Sequence, residues 1–208
     1  EKHRTLVDVG ESVSGIISGR DSVFLLDPEK AKELEIEEDI LLDAIRGKDP
    51  DRWHLKGASK QIIYPYREGD NATVLMDEEE LSENYPNAYS YLKEHEDGLR
   101  SRKDSRSTLN DENWYQITRQ GQLSKYKQRK IVTSGESKRN QFCIDNEGRG
   151  YSFARIYGVL ADNIELDSLL AILNSDIIEF YLHKIAPLKR GEYYSYSCDY
   201  LDKVPIPE

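Results

Sequence analysis

A chain of 208 residues can bury a full hydrophobic core, and 38% hydrophobic with 10% aromatic residues excludes a disordered polyelectrolyte. Two cysteines without a Cys-x-x-Cys partner, and no apolar run near the roughly 20 residues that cross a bilayer, exclude a disulfide framework, a cysteine zinc site and a membrane-spanning helix. The net charge of −10 hides a strong asymmetry: residues 1–98 hold 12 Lys/Arg against 24 Asp/Glu, residues 99–155 hold 13 against 6, and residues 156–208 hold 4 against 9.

In chain order, residues 1–45 read as strands broken by glycine turns. Val13 to Ile17 forms a strand, Ser18-Gly19-Arg20-Asp21 a turn, and Val23-Phe24-Leu25-Leu26 a second apolar strand. Pro28 to Asp39 mixes Glu with Lys and predicts a short exposed helix. Ile40 to Ile45 is a buried run, ended by Arg46-Gly47-Lys48-Asp49-Pro50. Ile62-Ile63-Tyr64-Pro65-Tyr66 is strand-like, with its proline confining it to an edge or a strand end. Asp77 to Arg102 is helical in pattern, with Pro86 in the first turn of a second helix and Asn84 near its cap.

A polar stretch from Arg102 to Tyr126 is anchored by Trp114-Tyr115. Strands resume at Lys130-Ile131-Val132, Phe142 to Asp145 and Ile156 to Leu160, with Asn146-Glu147-Gly148-Arg149-Gly150 as a hairpin-type turn. Ser168 to Lys184 is an apolar helical segment with a cap or break at Asn174-Ser175. Its residues Leu170, Leu173, Ile177, Phe180 and Tyr181 are expected on one core-facing stripe. Strands and helices do not alternate as βαβ units. The expectation is one α+β domain over residues 1–208, with a mixed, largely antiparallel sheet and packed helices. Cys143 and Cys198 read as free thiols of a reducing compartment, and the opening at Glu1, without a leader pattern, reads as a piece of a longer protein.

Complete catalytic signatures are absent. There is no dinucleotide-binding glycine fingerprint, no Walker A sequence and no Asn-Pro-Pro-Tyr clamp for a flipped adenine. Gly15 to Arg20 lacks the Lys-Ser/Thr ending of a phosphate loop and reads as a turn. His3, His54, His95 and His183 show no ligand spacing. Pro50-Asp51 with Glu136-Ser137-Lys138 spells a nuclease-like pattern, in which Asp51 and Glu136 would hold a metal and Lys138 would orient water. A protein-interaction module docking through the acidic first half is a further alternative.

Three basic clusters sit on glycine-bearing loops. Arg46 and Lys48 with Arg52 and the indole of Trp53 form one; Lys138, Arg139 and Asn140 form a second; Lys189 and Arg190, with Tyr193, Tyr194 and Tyr196, form a third. Phosphate attraction acts within roughly 8–10 Å, so a local basic face outweighs the total charge. Arginine and asparagine suit base edges, and lysine and tyrosine suit phosphates.

Several blocks, in order, resemble the TaqI-like C-terminal specificity domain of adenine-N6 DNA methyltransferases and type IIG restriction-modification enzymes. They are Ser18-Gly19-Arg20-Asp21-Ser22-Val23-Phe24, with Ser18 for the usual threonine, and Ile45-Arg46-Gly47-Lys48-Asp49, followed by Pro50 where isoleucine is commoner. Ile62 to Tyr66, Tyr85 to Leu92, Trp114-Tyr115, Leu173-Asn174-Ser175, Phe180-Tyr181 and Leu201 to Pro207 complete the set.

The resemblance implies a fold like that of type I specificity subunits. It also implies a DNA target-recognition role beside a methyltransferase domain of the same parent chain, in the cytoplasm of a prokaryote. It implies double-stranded DNA as partner, no cofactor in this domain, and S-adenosylmethionine, with magnesium if the parent also cleaves, for the parent enzyme. Arg20, Arg46, Lys48, Arg52, Lys138, Arg139, Asn140, Lys189, Arg190, Tyr193 and Tyr194 are the expected DNA-contacting residues.

Overall fold

The computed structural model describes residues 4–70, 72–103, 109–151 and 156–207; His3, Arg106 and Arg155 lie outside the described residues. The chain begins with β1 (Gly10–Ser14), a helical turn α1 (Asp21–Phe24), β2 (Leu25–Leu26), α2 (Pro28–Glu33) and β3 (Leu41–Ile45). Next come β4 (Pro50–Asp51) and β5 (His54–Leu55), β6 (Lys60–Ile63), and β7 (Tyr66–Glu68) with β8 (Thr73–Leu75). Helices α3 (Glu78–Asn84), α4 (Pro86–Glu94), α5 (Glu96–Arg100) and α6 (Leu123–Tyr126) follow. The remainder holds β9 (Lys130–Ser134), β10 (Glu136–Ser137), β11 (Cys143–Asp145), β12 (Gly150–Tyr151), β13 (Ile156–Ala161), α7 (Leu166–Leu173), α8 (Asp176–Ile185), β14 (Tyr194–Ser195) and α9 (Cys198–Leu201).

Two four-stranded sheets carry the architecture. One has the order β1-β13-β9-β11 and is antiparallel throughout. The other, β12-β3-β6-β2, is antiparallel except for the parallel β12–β3 pair. The fold is therefore α+β with mixed, largely antiparallel sheets, as the order of elements predicts. Strand β9 is buried along its whole length because the first sheet has an apolar layer on each face. Val132 and its register partner Cys143 face the layer shared with the second sheet and α3 to α5. Ile131, with its partners Ile144 and Val159, faces the layer of α7, α8 and α9. A one-residue slip would exchange these faces, so burial on both sides pins the register. Each fully buried Val or Ile contributes roughly 1.5–3 kcal/mol.

At the end of β9, Lys130 is itself fully buried. Its Nζ lies 2.6 Å from Oδ2 of Asp145, its partner across the ladder, and 2.6 Å from the Tyr126 carbonyl. Burial pulls the Lys130 ammonium below the usual lysine range, and Asp145 opposes that pull. Asp145 also accepts the backbone N–H groups of Glu147 and Arg149, at 3.2 and 2.7 Å. This steers the chain into β12 beside β3. The expected hairpin over 146–150 does not form, because β9 already lies between β11 and β13.

Three other local expectations change. Val23-Phe24 is helical rather than extended: both N–H groups donate to the Arg20 carbonyl, and four apolar residues suit a buried turn as well as a strand. Asn84 does not cap α4. The Glu37 carboxylate, far away in sequence, accepts from Asn87 N and Ala88 N at 2.8 and 3.0 Å.

The Asn174-Ser175 break is real, and Ser175 Oγ accepts from Ile178 N at 3.3 Å. Two residues off the helical path reset the phase, however. Ile178 and Leu182 turn inward, while Ile177 and Phe180 are 78% and 64% exposed. The single core stripe through those two residues is thus corrected. Both cysteines are free thiols, and burial pushes the Cys143 thiol up to about 12. No helix among the described residues is long and apolar enough to cross a membrane.

Candidate nucleic-acid interface

The turn after β3 is built around Asp49, which is only 4% exposed. Its carboxylate accepts from Arg46 N at 2.7 Å and from Ser59 Oγ at 2.8 Å, and its backbone N–H donates to the Arg46 carbonyl. A polar side chain closing its own turn frees the flanking cations from structural duty. Arg46 and Lys48 make no ion pair among the described residues. The turn is tied to the first sheet by Ser134 Oγ, which donates to the Gly47 carbonyl at 2.5 Å.

The loop beyond β9 is tied to the C-terminal tail. Strands β10 and β14 pair Glu136 with Ser195 and Ser137 with Tyr194, and Tyr196 N donates to the Gly135 carbonyl. Between α8 and β14, residues 190–192 form a short helical turn in which Gly191 and Glu192 take φ values of 70° and 65°. Glycine meets that requirement without strain. Lys189 and Arg190 are exposed on this turn and make no ion pair among the described residues. Lys138 lies 3.3 Å from Glu192 and 5.6 Å from the Tyr193 ring centre, and Arg139 lies 3.6 Å from Glu179.

These ties bring three distant stretches onto one groove of about 980 Å³. Arg46, Lys48, Lys138, Arg139, Arg190 and Tyr193 line it. The sequence reading missed Lys56, which the β4–β5 hairpin folds back onto the same wall, and Gln141. Pairing of Pro50 with Leu55 is what returns Lys56, and only the two-residue Arg52-Trp53 turn signals it in sequence. Glu136 is the one carboxylate on the lining among the described residues, set against the cations Arg46, Lys48, Lys56, Lys138, Arg139 and Arg190. A concave wall of one sign concentrates field and draws polyanions.

Other expected contact residues have different places. Asn140 is fully buried: Nδ2 donates to the Leu173 carbonyl at 2.6 Å and Oδ1 accepts from Tyr196 at 2.9 Å. Its amide is consumed inside the fold, which corrects its assignment to a base edge. Arg52 is half-buried, donating to the Asn174 carbonyl at 2.5 Å and facing Asp176 at 3.5 Å, so it locks the hairpin onto the α7–α8 junction. Arg20 precedes α1 and lies against Gly98 of α5, away from the groove lining. Tyr194 stacks on His183 at 3.8 Å and 10°, whereas Tyr193 is 41% exposed. Lys189 adjoins the groove and holds the tail turn through its backbone N–H to the Tyr193 carbonyl at 2.6 Å.

Asp51, Glu136 and Lys138 do not act as a unit. Asp51 pairs with Lys56 at 3.5 Å, Lys138 pairs with Glu192, and Glu136 sits in the β10–β14 ladder. No group of three or more His, Cys, Asp or Glu side chains among the described residues is arranged to hold a metal ion. The hydrogen bond from Arg52 N, with Lys56 close by, lowers the Asp51 carboxyl below its ordinary range.

Residues 65–206 match the family described as TaqI-like C-terminal specificity domain. The chain is 24% identical over 194 residues to the type II methyltransferase M.BstVI of Geobacillus stearothermophilus, a match that covers 93% of this chain and 32% of that protein. It is 23% identical over 204 residues to the type II methyltransferase M.XhoI of Xanthomonas vasicola, covering 98% and 35%. The chain thus spans about a third of the length of these relatives. The fold is similar to part of the type IIL restriction-modification enzyme MmeI, solved in complex with DNA. That likeness has a TM-score of 0.65 and 13% identity over 98% of this chain and 25% of that one.

Proposed function

Because this chain belongs to the TaqI-like C-terminal specificity domain family, we propose that residues 1–208 are one DNA target-recognition domain of a prokaryotic, cytoplasmic restriction-modification adenine-N6 methyltransferase. The domain holds duplex DNA against a methyltransferase domain of the same parent chain and performs no chemistry itself. S-adenosylmethionine, and magnesium if the parent also cleaves DNA, would be held outside these residues. The observation that carries this reading is the convergence of Arg46, Lys48, Lys138, Arg139 and Arg190 on one groove of an otherwise acidic chain. Those cations come from three separate stretches, and a concave surface lined by them suits a phosphate backbone. Names of the relatives add the methyltransferase setting.

Salt dependence tests it. Fluorescence anisotropy of a labelled duplex should show log K falling linearly with log salt between about 50 and 200 mM, with a slope near −0.9 per phosphate contact. Undetectable binding at the lowest salt, or a flat salt response, would remove this function. Magnesium-dependent cutting lost in Glu136→Ala would instead restore a nuclease.

The two tail tyrosines should separate. Tyr194→Ala removes the ring stacked on His183 and should lower unfolding stability by about 1 kcal/mol. Tyr193→Ala should leave the thermal midpoint in place and weaken duplex binding, because its ring faces the groove beside Lys138. Calorimetry and anisotropy on both variants decide this, and equal effects of the two substitutions would contradict it.

A further inference from the structure

The β4–β5 hairpin ends in Trp53, whose side chain is 53% exposed and whose backbone sits at φ 72°. That left-handed state is normally left to glycine, and a bulky residue there is an outlier. Two contacts hold the tip in place. Trp53 N donates to the Phe142 carbonyl at 2.9 Å, and the Arg52 guanidinium grips the Asn174 carbonyl. The fold would be served better by glycine at this position and makes no use of the indole in its cores. Pro50, which opens β4, and Lys56, which follows β5, line the cationic groove. The indole is thus exposed on the fixed tip of a hairpin whose base lines that groove, without itself being one of the lining residues.

We propose that Trp53 is this domain's apolar contact with nucleobases, reached when the groove holds the duplex backbone. This rests on the DNA-binding reading above and adds to it a residue that meets bases rather than phosphates. An aromatic ring gains nothing from a hydrated phosphate. Beside a bound duplex its counterparts are the thymine methyl group or an opened base step. The Arg52 guanidinium lies 5.9 Å from the indole centre, and its hold on Asn174 and Asp176 fixes the tip that carries the ring.

The chain has two tryptophans, and Trp114 is fully buried, so solvent-sensitive emission reports Trp53. Saturating unlabelled duplex should quench that emission and shield it from acrylamide, and Trp53→Phe should abolish the signal change. With a labelled duplex, Trp53→Ala should bind about fivefold to a hundredfold more weakly with an unchanged salt slope, since no phosphate contact is lost. Trp53→Gly should lose affinity to a similar extent while its thermal midpoint stays level or rises, because the strained backbone is relieved. A purely structural tryptophan predicts the reverse for glycine, a lower midpoint. Wild-type affinity in Trp53→Ala, or unchanged emission and acrylamide access with DNA bound, would overturn the role of Trp53 and leave the groove reading standing. No duplex binding by the wild-type chain would overturn both.

Discussion

Replacing Arg46 and Arg190 together by glutamate is expected to flatten the salt slope of duplex binding by about two units and to abolish measurable binding at about 150 mM salt. Each side chain lines the groove, and neither is held by an ion pair among the described residues, so both are free to meet phosphate. The two residues come from different stretches of the chain, one on the turn closed by Asp49 and one on the turn after α8. If the groove receives a single backbone, their effects on the slope should add, since they share no partner. The fold should survive, because loop charges held by no ion pair usually alter stability by no more than about half a kcal/mol. Anisotropy titrations at several salt concentrations, beside thermal melts, measure both quantities. A slope equal to that of the wild type, in a folded variant, would place the DNA elsewhere.

Asp145→Asn should lower unfolding stability by about 3 kcal/mol or more. The amide keeps most of the shape but removes the charge that faces the buried Lys130 ammonium at 2.6 Å. The pH response has a definite sign. Burial already depresses Lys130 in the folded state, so between that lowered value and the unfolded one of about 10.4 the unfolded chain holds more protons, and in that window this group's contribution to stability increases with pH. Without Asp145 the depression deepens, and the loss should ease as pH rises through the folded value towards about 10. Adding Lys130→Met should restore most of the lost stability at neutral pH by removing the stranded charge. Urea unfolding of the wild type and these two variants from about pH 6 to 10 measures this. A double variant no better than Asp145→Asn would contradict the account.

The clusters around Arg46, Lys138 and Arg190 are legible in sequence because each is a short cationic run beside a glycine, and charge needs no partner to be recognised. Whether a given side chain remains available is another matter. Asn140 and Arg52 carry the same residue types as surface readers, yet one is enclosed between α7 and Tyr196 and the other grips Asn174. Their partners lie tens of residues away in the chain, at separations that no local pattern encodes. Lys56 joined the groove for the converse reason, since hairpin pairing returned it to a wall its neighbours had formed.

By itself the sequence determined the α+β class, the positions of the long helices and main strands, the break at Asn174-Ser175 and the basic character of three loops. Those follow from periodicity, capping chemistry and charge, which act over a few residues. Tertiary structure alone decided that β9 is buried on both faces and that Glu37 caps α4. It also decided that α8 restarts with Ile177 and Phe180 outward and that three basic loops share one groove. Each of those depends on which distant segments pack together. That choice is made by the summed burial of two apolar layers, and no single stretch of the chain contains it.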